Sequence, residues 1–472
     1  MPAVLDVLVV GAGLSGLIAA RRLQASGLAV RVLEARKRVG GRMTSSTTAA
    51  GTVVDLGGQW GGTTHHRLTA LLETLGIARY PSFYDGDGIW CWQGSRVQAP
   101  LAAHVEQSLL FFDPDALGLG AEDLAATVAL QRAYAALVAQ VNPRQPWLSP
   151  DAERLDRLSV DAWAAQHTTL PLARLPLNWL CRVGGSGGFE PWEASILHLA
   201  WTQAVAPQNE TPEAWLVRGS AGQVPPLLAA ELQRSDPQAL QLGDAVVSIA
   251  QNNTGAVVHT ASGRVHQGRA VIVAVPPPLR AAIRFEPELP PAHRALLQRS
   301  PMGGMTKVLA IYAEPFWRKQ GLNGLGIGDL PLLELTADSS PPEAESGVLA
   351  SFVSGERALQ LATLPAPQRH ERILADLVRY WGPEAGAPLA LIEQPWNAEP
   401  WSGGAFTSFL TPGTWTSHAR LAAAAHGGPG PASHGRVLWA GTEASPRWPG
   451  YFEGAIEAGE LAATEATALL NP

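Results

Sequence analysis

The stretch that decides the fold reads Val4-Leu5-Asp6-Val7-Leu8-Val9-Val10, then Gly11-Ala12-Gly13-Leu14-Ser15-Gly16, a helical run, and Val30–Glu34. An apolar strand must turn tightly into a helix, so Gly11 supplies a backbone that other residues resist. Gly13 lets the main chain approach a pyrophosphate, and Gly16 lets helix and strand pack closely. The phosphates then rest on the helix N-terminus, where free N–H groups and the helix dipole favour negative charge. Glu34 ends the second apolar run about 20 residues past the glycines, where an acid accepts a hydrogen bond from a ribose hydroxyl. Glycines alone are weak evidence. Gly324-Leu325-Gly326-Ile327-Gly328 is also glycine-rich, but Asp329-Leu330-Pro331 follows it instead of a helix start, so it reads as a loop. The N-terminal copy has strand, turn, helix, strand and acid in order. It predicts a dinucleotide site.

Composition bounds the rest. At 472 residues the chain exceeds a single core, and two domains are expected. A hydrophobic content of 46% and a mean hydropathy of +0.04 describe a soluble globular protein. Cys91 and Cys181 form neither a disulfide framework nor a metal-ligand spacing, which fits a reducing compartment and no metal site. The net charge of −7 argues against a nucleic-acid partner and allows mild attraction of cations. No cationic-then-apolar leader precedes the first strand, and no uninterrupted apolar stretch is long enough to span a bilayer. A cytoplasmic protein is expected. Oligomeric state stays open, with a homodimer among the options.

Past the first unit, Gly40-Gly41-Arg42 and Asp55-Leu56-Gly57-Gly58-Gln59-Trp60 continue the glycine-rich pattern. Ala121–Val141 has helical spacing, and Ser149-Pro150-Asp151 reads as a helix start with an N-cap serine. A helical stretch runs through Trp192–Ala204. Strand character returns in Ala245–Ile249, Ala256–Thr260 and Arg264–His266 around the turn Asn252-Asn253-Thr254-Gly255. A separate short strand, Ala270–Val275, stops at Pro276-Pro277-Pro278. Ala422–Gly435 is low in complexity and reads as a surface loop. Arg436–Ala440 is a last strand and Tyr451–Leu470 the final helix.

Nearly the whole chain resembles the flavin-containing monoamine oxidase family, a branch of the FAD amine oxidases that includes polyamine and L-amino-acid oxidases. The matching segments are Gly11–Gly16, Glu34-Ala35-Arg36, Gly40-Gly41-Arg42, Asp55–Trp60, Arg218–Gln223, Met302–Trp317, Trp396–Phe409 and Ala440–Ala463. The resemblance implies an α/β fold: a Rossmann-like FAD-binding domain from 1–80, 219–285 and 400–472, interleaved with an α+β substrate-binding domain from 81–218 and 286–399. Gly11, Gly13, Ser15 and Gly16 would cradle the cofactor. Glu34 resembles the ribose acid beside Ala35, and Val246 the adenine contact. Arg36, Gly41 and Arg42 sit near the pyrophosphate. Gly57, Gly58, Gln59 and Trp60 resemble the segment along the riboflavin, and Trp396 the aromatic beside the ring. Thr442 and Glu443 fall near the ribitol, with Phe452 and Ala455 at the pyrimidine edge. There the last helix would place N–H groups by the flavin N1–C2=O edge, stabilising the charge that reduction brings.

Two departures matter. A cysteine after Ser-Gly-Gly carries the flavin bond in some members; in Ser402-Gly403-Gly404-Ala405 that place is alanine, so FAD should be non-covalent. The family's two-tyrosine cage corresponds to Phe406 and Tyr451, which keeps both ring faces and loses one hydroxyl. Lys307, inside an apolar strand, is costly without partners; the family reading puts its amine on a water at flavin N5, the plainer one snorkels it at a strand end. These three are the catalytic candidates. His65 and His66 read as loop residues. The implied reaction oxidises the C–N bond of a small primary or secondary amine to an imine and then an aldehyde, with O2 reduced to hydrogen peroxide or a quinone as acceptor in its place. Alternatives are an L-amino-acid oxidase or dehydrogenase, a polyene desaturase or porphyrinogen oxidase-like protein, and a non-catalytic flavoprotein. Trp179, Trp192, Trp201 and Trp215 are candidates for an aromatic cavity. Glu190, Glu193, Glu210 or Glu213 could bind a second ammonium, and Arg182, Arg218 or Arg318 a substrate carboxylate.

Overall fold

A computed structural model describes residues 4–102, 111–184, 187–206, 213–343, 345–423 and 432–471. The fold is mixed α/β, built on two large sheets. In the first, Leu5–Val10 lies parallel between Val30–Leu33 and Val265–Val273, with Val7 opposite Val30 on one side and Ala270 on the other. Covered on both faces, Val7–Val10 is fully buried, which is why it reads as an unbroken apolar run and not an alternation. Val437–Trp439 joins on Val265–Val273, so the sheet draws on both ends and the middle of the chain.

The second sheet has seven strands, ordered Ala390–Pro395, Met305–Tyr312, Gly347–Ser354, Leu335–Asp338, Leu322–Gly328, Asp87–Trp92 and Ser95–Ala99. A small three-stranded sheet pairs Trp60 with Leu216 and Tyr80 with Leu216.

The two ends of the chain meet because small residues let them. The first helix, Leu14–Ala25, packs on the last, Phe452–Leu470. A Cβ on Gly459 would lie 2.4 Å from the Ser15 carbonyl oxygen. Ser15 Oγ also accepts the Gly441 N–H at 2.9 Å.

Several expectations are corrected. Gly324–Gly328 is no loop: Leu322–Gly328 is a fully buried strand running parallel to Asp87–Trp92. Its glycines serve close packing, since a Cβ on Gly326 would meet the Tyr380 ring at 2.8 Å and one on Gly328 the Cys91 carbonyl at 2.2 Å. Ser149 does not cap a helix; its hydroxyl accepts the Asn142 N–H, and the helix starts later, at Ala152–Arg157. Arg264–His266 and Ala270–Val275 belong to one strand, Val265–Val273, with Gly268 pressed against Leu8. The helix after Trp192 begins at Ile196, where Ser195 accepts from the N–H groups of Leu197 and His198. His66 opens the helix His66–Thr74. Most of Ala422–Gly435 falls in 424–431, outside the described residues.

Gly16 gives the clearest test of this packing. An added Cβ would stand 2.0 Å from the Gly11 carbonyl oxygen, whereas one on Gly13 meets nothing within 4 Å. Gly16→Ala should lower the unfolding free energy by roughly 1–3 kcal/mol. Gly13→Ala should stay within about 0.5 kcal/mol of the parent. Denaturant unfolding of the two apo variants checks both.

Candidate active site

The turn after the first strand opens on a cavity whose wall includes Glu34 and Val246 as well as Lys307, Phe406 and Tyr451. Gly11 holds φ +103°, and a Cβ there would touch Ala274 O at 3.0 Å. Behind Gly13 the first helix begins with no side-chain cap and no acid in its first turn, leaving N–H groups and the positive helix end for an anion. Glu34 is buried and fixed: one carboxylate oxygen accepts Ala12 N–H at 2.7 Å, the other Arg36 N–H at 2.8 Å. The Arg36 guanidinium is committed to Glu399 at 2.9 Å and Ser402 Oγ at 2.8 Å.

Ser15, Ala35, Gly41 and Arg42 also stand in the cavity wall, as do Gly57, Gly58 and Trp396. Thr442, Phe452 and Ala455 complete the expected set there. Four expected residues sit behind the wall. Gly16 serves helix packing, Gln59 accepts from Lys307, Trp60 lies 6.2 Å from Phe352, and Glu443 pairs with Arg42 at 2.7 Å. Burial pushes the Glu443 pKa up, but the charge and hydrogen bond of Arg42 outweigh it and hold the carboxyl below its usual range. Arg42 also donates to the Phe406 carbonyl at 2.7 Å, which ties that aromatic residue to the wall that Arg42 lines.

Lys307 does not snorkel. It is the third residue of a strand buried along its whole length, and it is 2% exposed. Its ammonium donates to the carbonyls of Asp55 at 2.7 Å and Gly57 at 2.8 Å, and to Gln59 Oε1. All three N–H bonds of the ammonium are thus directed at protein acceptors. Burial pulls its pKa below the usual lysine range, and the Asp55 carboxylate pulls the other way. That carboxylate accepts the N–H groups of Ala221 and Gly222, both at 2.9 Å.

Tyr451, in the cavity wall with Phe406, has a support that the sequence did not announce. Tyr451 packs against Trp448 with centroids 4.9 Å apart and against His65 at 5.5 Å. His65 is fully buried, and its Nδ1 accepts the Gly62 N–H at 2.9 Å. Nε2 therefore carries the proton, and it has no hydrogen-bond partner. Burial, with a smaller contribution from the neighbouring His66, pulls the imidazole pKa down to about 4. Only the turn into the helix His66–Thr74 brings His65 inward, so no periodicity could have flagged it.

Most charged candidates for substrate contact are spoken for. Arg182 bridges Glu190 at 2.8 Å and Glu334 at 2.9 Å, Arg318 grips Asp338 through two bonds, and Arg218 pairs with Glu343. Glu193 accepts the Glu190 N–H at 2.8 Å, and Glu210 lies outside the described residues. The tryptophans mostly pack: Trp179 lies 5.5 Å from Trp90, Trp201 is fully buried, Trp215 covers Gly61, and Trp192 is exposed.

Residues 14–467 match the family described as flavin containing amine oxidoreductase. The chain belongs to that family. It is 38% identical over 466 residues to an L-amino acid dehydrogenase of Synechocystis sp., covering 98% of this chain and 95% of the relative. To a putrescine oxidase of Kocuria rosea it is 32% identical over 478 residues, covering 98% and 94%. The solved structure of cyclohexylamine oxidase from Brevibacterium oxydans superposes with a TM-score of 0.88 at 29% identity, covering 100% of both chains. This amine oxidoreductase is an enzyme whose cofactor is FAD.

The residues present fit that cofactor. Open space where Gly13 would carry a Cβ, the uncapped helix behind it and the fixed Glu34 suit a pyrophosphate and its ribose. Gly13→Ala, which leaves the fold intact, should therefore cut FAD retention at least tenfold, read as the 450 nm flavin absorbance per mole of purified protein. His65 gives a pH test. Its pKa rises from about 4 when folded to the free-histidine value on unfolding. The unfolded chain then binds the extra proton, so stability present above that value is lost as pH falls towards 4. His65→Gln should shrink the pH dependence of unfolding free energy across this window by about 3 kcal/mol, measured by urea titration at stepped pH.

Proposed function

We propose that this amine oxidoreductase oxidises the C–N bond of a primary or secondary amine to an imine, which water hydrolyses to an aldehyde, with O2 reduced to hydrogen peroxide. The observation that carries the reading is the pairing of Phe406 and Tyr451 in the wall of the same cavity as the glycine cradle and Lys307. FAD bound along the glycine cradle would supply the hydride-accepting chemistry and the onward route of the electrons to oxygen. Phe406 and Tyr451 offer two ring faces that steer the amine carbon and exclude water, an orienting role that needs no side-chain base. Turnover should rise with pH as the substrate amine loses its proton.

A split cofactor domain (1–80, 219–285 and 400–472) and a substrate domain (81–218 and 286–399) accord with the way the two large sheets collect their strands. We read the first as Rossmann-like, on the strand–Gly11–Gly13–Gly16–helix order and the acid at Glu34. A non-covalent FAD is supported by Ala405 in the cavity wall, which offers no sulfur, and by the absence of cysteine and histidine from that wall among the described residues. Cys91 and Cys181, buried and unpaired, fit a cytoplasmic location. Among the described residues no helix is long and apolar enough to cross a membrane.

A second reading, oxidation of an L-amino acid, is favoured by the 38% identity to the Synechocystis L-amino acid dehydrogenase. Against it stands the engagement of Arg182, Arg218 and Arg318 with protein carboxylates, since an α-carboxylate calls for an unengaged arginine. One experiment separates the two: anaerobic bleaching of the purified yellow protein by simple amines and by L- and D-amino acids, followed by a peroxide-coupled assay in air. Amines should bleach it, and Tyr451→Ala should lower kcat/KM on the order of 100-fold. Lys307→Met should slow turnover as well. Bleaching by L-amino acids alone would put the second reading in place of the first. Unchanged turnover in both variants would remove the site assignment.

A further inference from the structure

We propose that His65 is a positioning residue for the oxidation and acts through Tyr451: its ring, with that of Trp448, sets the angle at which the Tyr451 ring faces the cavity. The inference rests on the reading of Tyr451 as a ring that orients the substrate, and it adds a residue that lines no part of the cavity. Three rings meet in a triangle. The centroids of His65 and Trp448 lie 4.6 Å apart at an interplanar angle of 85°, and those of Trp448 and Tyr451 4.9 Å apart at 75°. His65 and Tyr451 close the figure at 5.5 Å and 62°. All three contacts are edge-to-face, the arrangement that aromatic quadrupoles prefer. Of the three, Tyr451 stands in the cavity wall, while His65 and Trp448 are buried behind it.

The main chain of Tyr451 is fixed by its own bonds: the carbonyl accepts from Thr442 Oγ1, and the N–H donates to the Trp448 carbonyl at 3.2 Å. Those bonds leave its two side-chain torsions open. Turning the ring away from the cavity would drive it into Trp448 or His65. Both of these are themselves held. Trp448 has φ +52°, a left-handed backbone that a large side chain adopts only where its surroundings demand it. Its carbonyl oxygen would stand 2.1 Å from a Cβ on Gly454, so the last helix closes on it tightly. His65 Nδ1 takes the Gly62 N–H, and Gly62 O takes Trp215 Nε1 at 3.0 Å. The helix that follows, His66–Thr74, directs the N–H groups of Arg67 and Leu68 to the Glu453 carboxylate at 3.1 and 3.0 Å. Glu453 lies in the first turn of the helix that Tyr451 caps, so the two segments keep a fixed spacing. His65 thus has two separable jobs. Nδ1 closes the turn, and the ring backs Tyr451.

Two substitutions pull these jobs apart. Asparagine keeps a side-chain acceptor and loses the ring; phenylalanine keeps a ring and loses the acceptor. The probe is whichever of benzylamine, cyclohexylamine, pentylamine and L-norleucine bleaches the parent holoenzyme fastest under anaerobic stopped flow. His65→Asn should lower the limiting bleaching rate about tenfold, with the half-saturating concentration within about twofold and the 450 nm flavin absorbance per mole unchanged. His65→Phe should restore most of that loss, although its unpartnered Gly62 N–H makes it the less stable of the two in urea. In Tyr451→Ala, which removes the ring being held, adding His65→Asn should cost less than about twofold more. A full rate in His65→Asn, a folded His65→Phe no faster than His65→Asn, or an equal loss in the Tyr451→Ala background overturns the proposal and leaves amine oxidation standing. Should His65→Phe not fold, the asparagine cycle decides alone. Bleaching by L-norleucine alone replaces the amine reading, and the same variants then decide this one. Bleaching by none of the four removes both.

Discussion

A buried lysine ammonium at the edge of the cavity sets the terms for the middle of this molecule. Every residue of Met305–Tyr312 is buried, and Lys307, although it borders the cavity, directs its ammonium at acceptors in protein. It finds the carbonyls of Asp55 and Gly57 and the amide of Gln59, whose other end donates to Ser339 Oγ at 2.6 Å. Each of these acceptors, left alone in the interior, would cost about 1–3 kcal/mol. The segment 55–59 is therefore pinned against the second sheet. Asp55 extends the arrangement by taking two N–H groups from 221–222. One charge thus organises three stretches far apart in sequence, and Gly57 and Gly58 reach the cavity wall as a result.

The glycine turn and the two rings, Phe406 and Tyr451, are mechanically one piece. Ser15, at the start of the first helix, accepts from Gly441. The next residue, Thr442, takes the Gly450 N–H at 2.7 Å and donates to the Tyr451 carbonyl at 3.0 Å. On the opposite side Arg42 joins Glu443 to the Phe406 carbonyl. Both aromatic rings are therefore positioned by residues that also border the cradle. Arranging a substrate against a cofactor demands this sort of shared frame, because errors of an ångström are expensive in rate.

What was legible in the sequence was whatever a local constraint dictates. Gly11 needs its positive φ and Gly16 its missing Cβ, and both needs are met within a few residues. Phe406, Tyr451 and Lys307 were placed by resemblance, and they share one cavity wall. The failures are tertiary. The glycines of 324–328 are there because Tyr380, Thr336 and Cys91 crowd them, and those neighbours are invisible in a short window. Ser149 looked like a cap, yet Asn142 claims its hydroxyl. The partners of Lys307 are some 250 residues away, so the sequence could say that the charge needed company but not whose. His65 is the sharpest case, since its role follows from the Trp448 and Tyr451 rings folding onto it.

The balance of charge around the cavity then bears on chemistry. Arg182 and Arg318, which a carboxylate substrate could use, are held by Glu190, Glu334 and Asp338, and detaching either strands a buried acid; only Arg218 pairs with an exposed one, Glu343. Recruiting them for an α-carboxylate would cost the fold more than a surface arginine would. The ring faces of Phe406 and Tyr451 carry negative quadrupole density, which favours an amine that is still partly cationic as it enters. The overall charge of −7 acts in the same direction over longer range. Each feature is modest alone, but all of them lower the energy of a positively charged guest. An anionic one must be accommodated by rearrangement.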